Sequence, residues 1–275
     1  MSAVITLTTD FGLNDAYVAA MKGVILGINS EVNLVDICHT IQPQNISQAA
    51  FVLSTVYDVF PRRTVHLVVV DPGVGTERRS VILRTPEADF VAPDNGVLSY
   101  VVRQYASGQT EGGIQSLDEA TGLKAVALTE PRFWRSPVSP TFHGRDIFAP
   151  VAAHLASGVP LSDFGVTIDS LLVLPLPCPF RSPEGTLVGN VLHIDNFGNL
   201  ITNIKREDLP ENTTMIVIEI GDRKIRGLSL TYGKGQGLIA VIGSSDYLEI
   251  SLKDGNARDY LEAKPGNEVK IITKD

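Results

Sequence analysis

The sequence predicts an α/β protein in two parts: a parallel sheet covered by helices, then a smaller all-β domain. Three observations carry this. Strand-like and helix-like segments alternate through the first part, the order of a parallel sheet with right-handed crossovers. A stretch holding Pro175, Pro177, Pro179 and Pro183 then interrupts the pattern. Beyond it, apolar residues fall into short alternating runs, several of them separated by turns. The chain divides accordingly into an α/β domain over residues 1–172, a proline-rich linker over 173–185 and an all-β domain over 186–275. At 275 residues and 44% hydrophobic, it is long enough to bury a sizeable core.

Ala3 to Thr8 reads as a buried strand that ends on Thr9-Asp10-Phe11-Gly12. Asn14 suits an N-cap, with Asp15 in the first turn of a helix whose Tyr17, Met21, Val24, Ile25 and Ile28 recur at helical spacing. Val32 to Ile37 is a second strand, ending at Cys38-His39-Thr40. The next helix opens with Asn45 and Gln48 at capping-box spacing and carries Ala49, Leu53, Val56 and Phe60 on one face. Thr64 to Val70 is a third strand, delivering Asp71 into the tight loop Pro72-Gly73-Val74-Gly75. In such sheets ligands sit beyond the carboxyl ends of the strands, which places Asp10, His39 and Asp71 on one rim. Val81–Arg84 and Asp89–Ala92 are short strands, and Pro93-Asp-Asn95-Gly96 is a turn. Gly108 to Lys124 is polar and shows no element. Thr141 to Pro150 opens a helix that runs on through Leu155, leaving His143, Gly144 and Arg145 near its N-terminus. The later segments Leu187–Ile194, Leu200–Ile204, Met215–Ile220, Leu238–Ile242, Tyr247–Ile250 and Val269–Ile272 are strands of a barrel or sandwich, with no strong helix signal among them.

Composition excludes several functions. Lys plus Arg is 23 against 31 Asp plus Glu, a net charge of -8, which argues against a nucleic-acid partner. No apolar run reaches the ~18 residues of a membrane span. Cys38 and Cys178 have no metal or CxxC spacing and read as reduced thiols. With no signal-peptide pattern, the expectation is a cytoplasmic protein. No His and carboxylate pair has ligand spacing, so no metal is expected; a Walker motif, a GxGxxG fingerprint after the first strand and a GxSxG elbow are likewise missing.

Five patches are rich in site-type residues: Asp10–Asp15, Asp71–Arg79, His143–Asp146, His193–Asn199 and Gly243–Asp246. Taken singly, each has a plain structural reading. Asn196-Phe-Gly198 is a hairpin turn, Ser244 and Ser245 are turn residues, and His39, His66, His154 and His193 are packed or solvated. His143 stands apart because a helix start gives it a polarised, accessible setting.

Together, Thr8-Thr-Asp10-Phe-Gly12, Val70-Asp71-Pro-Gly-Val-Gly-Thr76, Ala92-Pro-Asp-Asn95-Gly96, Thr141-Phe-His143-Gly-Arg145-Asp and Asp195-Asn-Phe197-Gly-Asn199 resemble the S-adenosylmethionine hydroxide adenosyltransferase family. These are adenosine-forming hydrolases related to fluorinases and chlorinases, and the resemblance runs in order along nearly the whole chain. It implies a Rossmann-like N-terminal sandwich, a C-terminal β-barrel, and a homotrimer with active sites between one subunit's first domain and its neighbour's second. S-adenosylmethionine is then the substrate, with no cofactor. Asp71, Arg78 and His143 match the set that handles the nucleophilic water. By motif, Asp10 holds the ribose hydroxyls, Asn95 belongs to the binding site and Asp15 lies near the methionine moiety. Asp195 and Ser244 receive the methionine amino and carboxylate ends, and Phe197 and Asn199 line the nucleoside. Ser245 stands where halogenating relatives carry arginine, and Arg79 is left a structural role.

The chemistry implied is substitution at C5′ of a sulfonium. Its leaving group is a neutral thioether, so no general acid is needed. The site must orient a water in line with the C5′–S bond and take its proton. One arginine ~4 Å away is worth about 4 kcal/mol at an effective dielectric of ~20, lowering a water's pKa by roughly three. Starting from ~15.7, that does not make hydroxide at neutral pH, so proton removal accompanies attack, with Asp71 or His143 as acceptor. The same arithmetic sets an ionised Asp71 about 4 kcal/mol against a bound halide. Halogenating relatives carry tyrosine at the Asp71 position, and fluorinases carry serine at Gly144 and a long insertion between Arg84 and Phe90.

Overall fold

The structure, a computed structural model, describes residues 2–105, 112–117, 121–234 and 236–273. The chain forms two compact units, Met1–Leu176 and Pro177–Asp275. The first contains β1 (Val4–Thr9), α1 (Tyr17–Ile28), β2 (Asn33–Cys38), α2 (Ile46–Ser54), β3 (Val65–Val69), β4 (Ser80–Arg84), β5 (Asp89–Pro93), α3 (Ser99–Tyr105), β6 (Gly113–Ser116), β7 (Lys124–Leu128), α4 (Ala149–Ala156), β8 (Gly165–Ile168) and β9 (Ser170–Val173). Its main sheet has the order β2-β1-β3-β5-β4-β7-β8.

The sheet is mixed, which corrects the expectation of a wholly parallel one. β2, β1, β3 and β5 run parallel, and β4, β7 and β8 join antiparallel. The turn from β4 to β5 explains the change. Thr85 N–H donates to the Ala88 carbonyl at 2.9 Å, and so short a link closes a hairpin and cannot make a crossover. β3 is buried throughout, as a central strand must be. Alternation along it sends Val65, Leu67 and Val69 into the core under α1 and α4, and Val68 and Val70 into the core under α2 and α3. Asp71 continues the parity of Val65, Leu67 and Val69, on the side where α1 and α4 pack.

Local chemistry shifts several boundaries. α1 starts at Tyr17 with Ala16 at its cap position, no side-chain cap and no acid in its first turn, so Asn14 and Asp15 lie outside it. Bends over residues 11–16 delay the helix: Gly12, at φ +69°, donates its N–H to the His39 carbonyl at 2.7 Å, and the first helical bond is Ala20 to Ala16. α2 has half of the expected capping box. Asn45 accepts from Gln48 N–H at 2.9 Å, while the Gln48 side chain turns to Gln42 N–H at 2.8 Å. The stretch from Gly108 to Lys124 lies partly outside the described residues; within it β6 pairs with β9 in a separate two-stranded sheet. The proline-rich stretch therefore begins on a strand.

The second unit contains β10 (Phe180–Arg181), β11 (Leu187–Ile194), β12 (Leu200–Lys205), β13 (Ile216–Ile220), β14 (Arg223–Arg226), β15 (Leu238–Ile242), β16 (Tyr247–Leu252), α5 (Ala257–Leu261) and β17 (Glu268–Thr273). Its antiparallel sheet runs β14-β13-β17-β11-β12-β16-β15, with β10 beside β11. Ser229 N–H, just past β14, reaches the Ala240 carbonyl of β15 at 2.8 Å, so the sheet is barrel-like and nearly closed. Leu187, Leu200, Ile218, Ile250 and Val269 fill its interior. α5 and β14 are additions to the sequence reading. A five-residue helix is too short to show a period, and β14 buries only Ile225.

Candidate active site

Asp71, Arg78 and His143 meet at the carboxyl end of β3. Arg78 Nε donates to Asp71 Oδ1 at 2.8 Å, and its Nη2 to Asp71 Oδ2, a two-pronged carboxylate pair. Nη2 also lies 3.0 Å from His143 Nδ1, and Nη1 donates to Ser80 Oγ at 2.6 Å. The guanidinium stacks 5.2 Å from the centroid of the buried Phe148 ring. Asp71 and Arg78 keep only 5% and 10% of their side-chain surface. Ion pairs so buried are held by geometry, and loss of either member strands a charge.

Two loops bring the set together. After β3 the chain turns twice, with Val74 N–H on the Asp71 carbonyl and Thr76 N–H on that of Gly73. Gly75, at φ +77°, lets this loop pass the Pro140 carbonyl, which a Cβ would approach to 2.6 Å. On the opposing side, His143 leads into a π turn over Gly144–Phe148 that continues as α4. Ala149 N–H bonds the Gly144 carbonyl five residues back, and Pro150 has no N–H to restore the α register. Such π bulges gather at functional sites. Asp146 locks the loop before it, accepting two bonds from Arg145 and one from Ser139 N–H at 2.9 Å. Burial works to raise the Asp146 pKa, and these donors outweigh it and hold the carboxyl below its ordinary value.

Protonation follows from the donors. A guanidinium only donates, so His143 Nδ1 accepts from Arg78 and the neutral ring carries its proton on Nε2. Burial first, then the Arg78 charge, lower the pKa of His143 from the ordinary 6.5, which favours this neutral form.

A cavity of about 370 Å³ opens beside the set, lined among others by Asp10, Gln44, Asp71 and His143 and by Phe11, Tyr17 and Phe142. The three rings pack against one another at 5.2–5.7 Å between centroids. Asp10 Oδ2 accepts from Gln44 N–H at 2.7 Å. His39, placed on the same rim by the sequence, is turned inward: Nδ1 meets Thr9 Oγ1 at 2.9 Å. Asn95 lies outside the cavity lining. Its amide donates to the Val70 carbonyl at 2.9 Å and accepts from Val97 N–H at 3.2 Å, bracing the residue before Asp71. Asp15 is exposed and also outside the lining. Arg79 pairs with the buried Asp94 and the Ser170 carbonyl. Among the described residues, no group of three or more His, Cys, Asp or Glu is placed to hold a metal ion.

The remaining candidates belong to the second unit. Asp195 Oδ1 accepts from the N–H groups of Phe197 and Asn199 at 2.9 and 2.8 Å, and Oδ2 accepts from Asn199 Nδ2 at 2.8 Å. This turn joins β11 to β12 and leaves Phe197 75% exposed. Ser244 is exposed in the turn between β15 and β16. Glu249, opposite Val241 on β16, is buried and accepts from Tyr232 Oη at 2.5 Å. Burial and the nearby Asp195 push the Glu249 pKa up.

Residues 5–165 match the SAM hydroxide adenosyltransferase N-terminal domain, and residues 189–270 match the C-terminal domain of the same family. The chain belongs to this family. It is 34% identical over 276 residues to (R)-S-adenosyl-L-methionine hydrolase of Salinispora arenicola, covering 97% of each chain. A fluorinase of Nocardia brasiliensis is 31% identical over 232 residues, which is 75% of this chain and 72% of that one. The crystal structure of an uncharacterized conserved protein from Thermotoga maritima superposes with a TM-score of 0.86 at 35% identity, covering 98% of this chain and 99% of that one.

For this member of the SAM hydroxide adenosyltransferase family, the sequence reading missed the aromatic wall and the Tyr232–Glu249 pair. Phe11 and Phe142 fall inside the motifs of the resemblance, and the helical spacing of Tyr17 marks it as a helix-core position only. Glu249, a carboxylate between Leu248 and Ile250 in an apolar strand, was the available signal.

Proposed function

We propose that the protein hydrolyses (R)-S-adenosyl-L-methionine to adenosine and L-methionine by in-line attack of water at C5′. The observation that carries this is the Asp71–Arg78–His143 constellation beside the cavity, in a chain of this family. Water's oxygen bonds to C5′, the C5′–S pair of electrons leaves with methionine as a neutral thioether, and water's proton goes to the protein.

The tautomer of His143 favours one of the two candidate acceptors. With Nδ1 occupied by Arg78 and the proton on Nε2, His143 offers a donor to the water and no free lone pair. Asp71 is the acceptor, because each carboxylate oxygen keeps a lone pair beyond the one given to Arg78. Arg78 thus holds Asp71 in place and stabilises the anionic character that grows on the water. An ionised Asp71 repels halide, and Gly144 offers no side-chain donor to one, so water is the nucleophile.

Asp10 binds the ribose hydroxyls, and the cavity's aromatic wall lies beside the sulfonium. Asp195, Phe197, Asn199 and Ser244 hold the rest of the substrate. We take the Rossmann-like character of the first unit and the homotrimer with shared sites from the resemblance, and a cytoplasmic setting from the reading of Cys38 and Cys178 as reduced thiols; sedimentation showing a monomer would overturn the shared-site part.

The deciding experiment incubates the pure protein with the substrate, with and without chloride or fluoride, and separates the products. Adenosine and methionine are expected in all cases. Methylthioadenosine, a halogenated nucleoside, or tight adenosine binding without turnover would each overturn the reading.

A further inference from the structure

We infer that His39 is a positioning residue for Asp10, acting through Thr9. The inference rests on the reading of Asp10 as the ribose-binding carboxylate. His39 is buried at 5% exposure where β2 ends, beside the end of β1. Its Nδ1 lies 2.9 Å from Thr9 Oγ1, and Thr9 Oγ1 accepts from Phe11 N–H at 3.3 Å. Its carbonyl accepts from Gly12 N–H at 2.7 Å. One residue therefore grips the chain on both sides of Asp10. On the far side of the ring, Nε2 lies 2.9 Å from Asp36 Oδ1 in a bent approach, and Asp36 Oδ2 accepts from Lys22 Nζ at 2.6 Å.

The donors give this chain a direction. The carboxylate beside Nε2 favours the ring proton there, leaving Nδ1 as acceptor for the Thr9 hydroxyl. Lys22, Asp36, His39 and Thr9 then form one line from the exposed face of α1 to the residue before Asp10. Asp10 is fixed from its other side by Gln44 N–H on Oδ2, and among the described residues Oδ1 has no protein partner. A carboxylate with one oxygen pinned and the other open is set to accept from a hydroxyl, provided that its backbone does not drift. Holding that backbone is the task of His39.

Thr9→Val removes the hydroxyl at nearly constant shape, Thr9→Ser retains it, and His39→Asn keeps an acceptor near Nδ1 while losing the Asp36 contact. The readouts on the full-length protein are adenosine affinity by calorimetry, the preference for adenosine over 2′-deoxyadenosine, and KM and kcat for hydrolysis. Thr9→Val should weaken adenosine binding and raise KM by about three- to tenfold, the weight of one or two net hydrogen bonds, with kcat within about twofold. His39→Asn should do the same more weakly, Thr9→Ser should restore wild-type values, and the deoxy preference should shrink with affinity. In an Asp10→Asn background neither change should cost anything further, because residues acting through one group are not additive. Equal losses in both backgrounds, or none in either, would overturn the positioning role while leaving Asp10 as a ligand. An Asp10→Asn protein that binds adenosine like wild type would overturn the ribose reading and the inference with it.

Discussion

Arg78 and Arg79 are neighbours in sequence, and each pairs with a buried aspartate, yet they build different things. Arg78 meets Asp71, and its guanidinium also contacts the His143 ring, the Ser80 hydroxyl and the face of Phe148. Arg79 meets Asp94, and its remaining contact is the Ser170 carbonyl. Asp94 Oδ1 is also taken, by Leu172 N–H at 2.8 Å, so that pair stitches β5 to β9 with its acceptors engaged by protein. Asp71 has no acceptor bond beyond Arg78 among the described residues, and it lines the cavity. The charge pair is common to both; unused acceptor capacity facing a cavity is what makes one of them a site.

Substituting the two aspartates tests this most severely. Asp71→Asn should lower kcat by about a thousandfold or more, the usual weight of a general base, while adenosine binding stays within a few-fold. Asp94→Asn should instead destabilise the fold by roughly 2–3 kcal/mol, since it loosens a buried ion pair and leaves kcat of the folded protein near wild type. Turnover assays and thermal melts on both proteins read the two effects; similar kcat losses would erase the distinction.

The arginines should separate in the same way, less widely. Arg78→Lys loses the two-pronged bond and the contact with His143, and kcat should fall by about a hundredfold. Arg79→Lys should change kcat by less than about threefold. Asn95 comes next. As a brace on the Val70 carbonyl, Asn95→Ala should lower kcat by about tenfold through a displaced Asp71, with KM little changed. A large rise in KM with kcat retained would return Asn95 to the substrate-binding set.

Much of this was legible because strand ends and glycine loops advertise themselves. Asp71 follows an apolar run and precedes Pro72, Gly73 and Gly75, and the crossovers up to β3 follow from strand–helix alternation. The direction of a side chain was not legible. Asn95 sits in a motif with site-like residues and yet faces backward, because the free carbonyl at the end of β3 needed a donor. Nothing in the spacing of His39 shows that it turns inward to Thr9. The antiparallel half of the sheet depended on one four-residue turn after Arg84, which composition alone does not distinguish from a loop. Nor does spacing choose between Asp71 and His143 as the proposed proton acceptor; that choice rests on which imidazole nitrogen Arg78 occupies.

That contact yields the smallest expected effect and a direct one. Burial first, and then the Arg78 charge, hold the His143 pKa below the ordinary 6.5, and only the neutral ring can accept from Arg78. Activity should therefore stay level as pH falls to 6.5 and decline only below it. Arg78→Gln removes the charge that lowers the pKa and leaves that of Asp71, which raises it, so the His143 titration should move upward. Arg79→Gln leaves both groups in place, and the titration should stay put. Following the His143 ring by NMR in the two variants compares the arginines without depending on turnover. An unmoved titration in Arg78→Gln would mean that the guanidinium does not govern the imidazole, and the case for Asp71 as the proton acceptor would lose its basis.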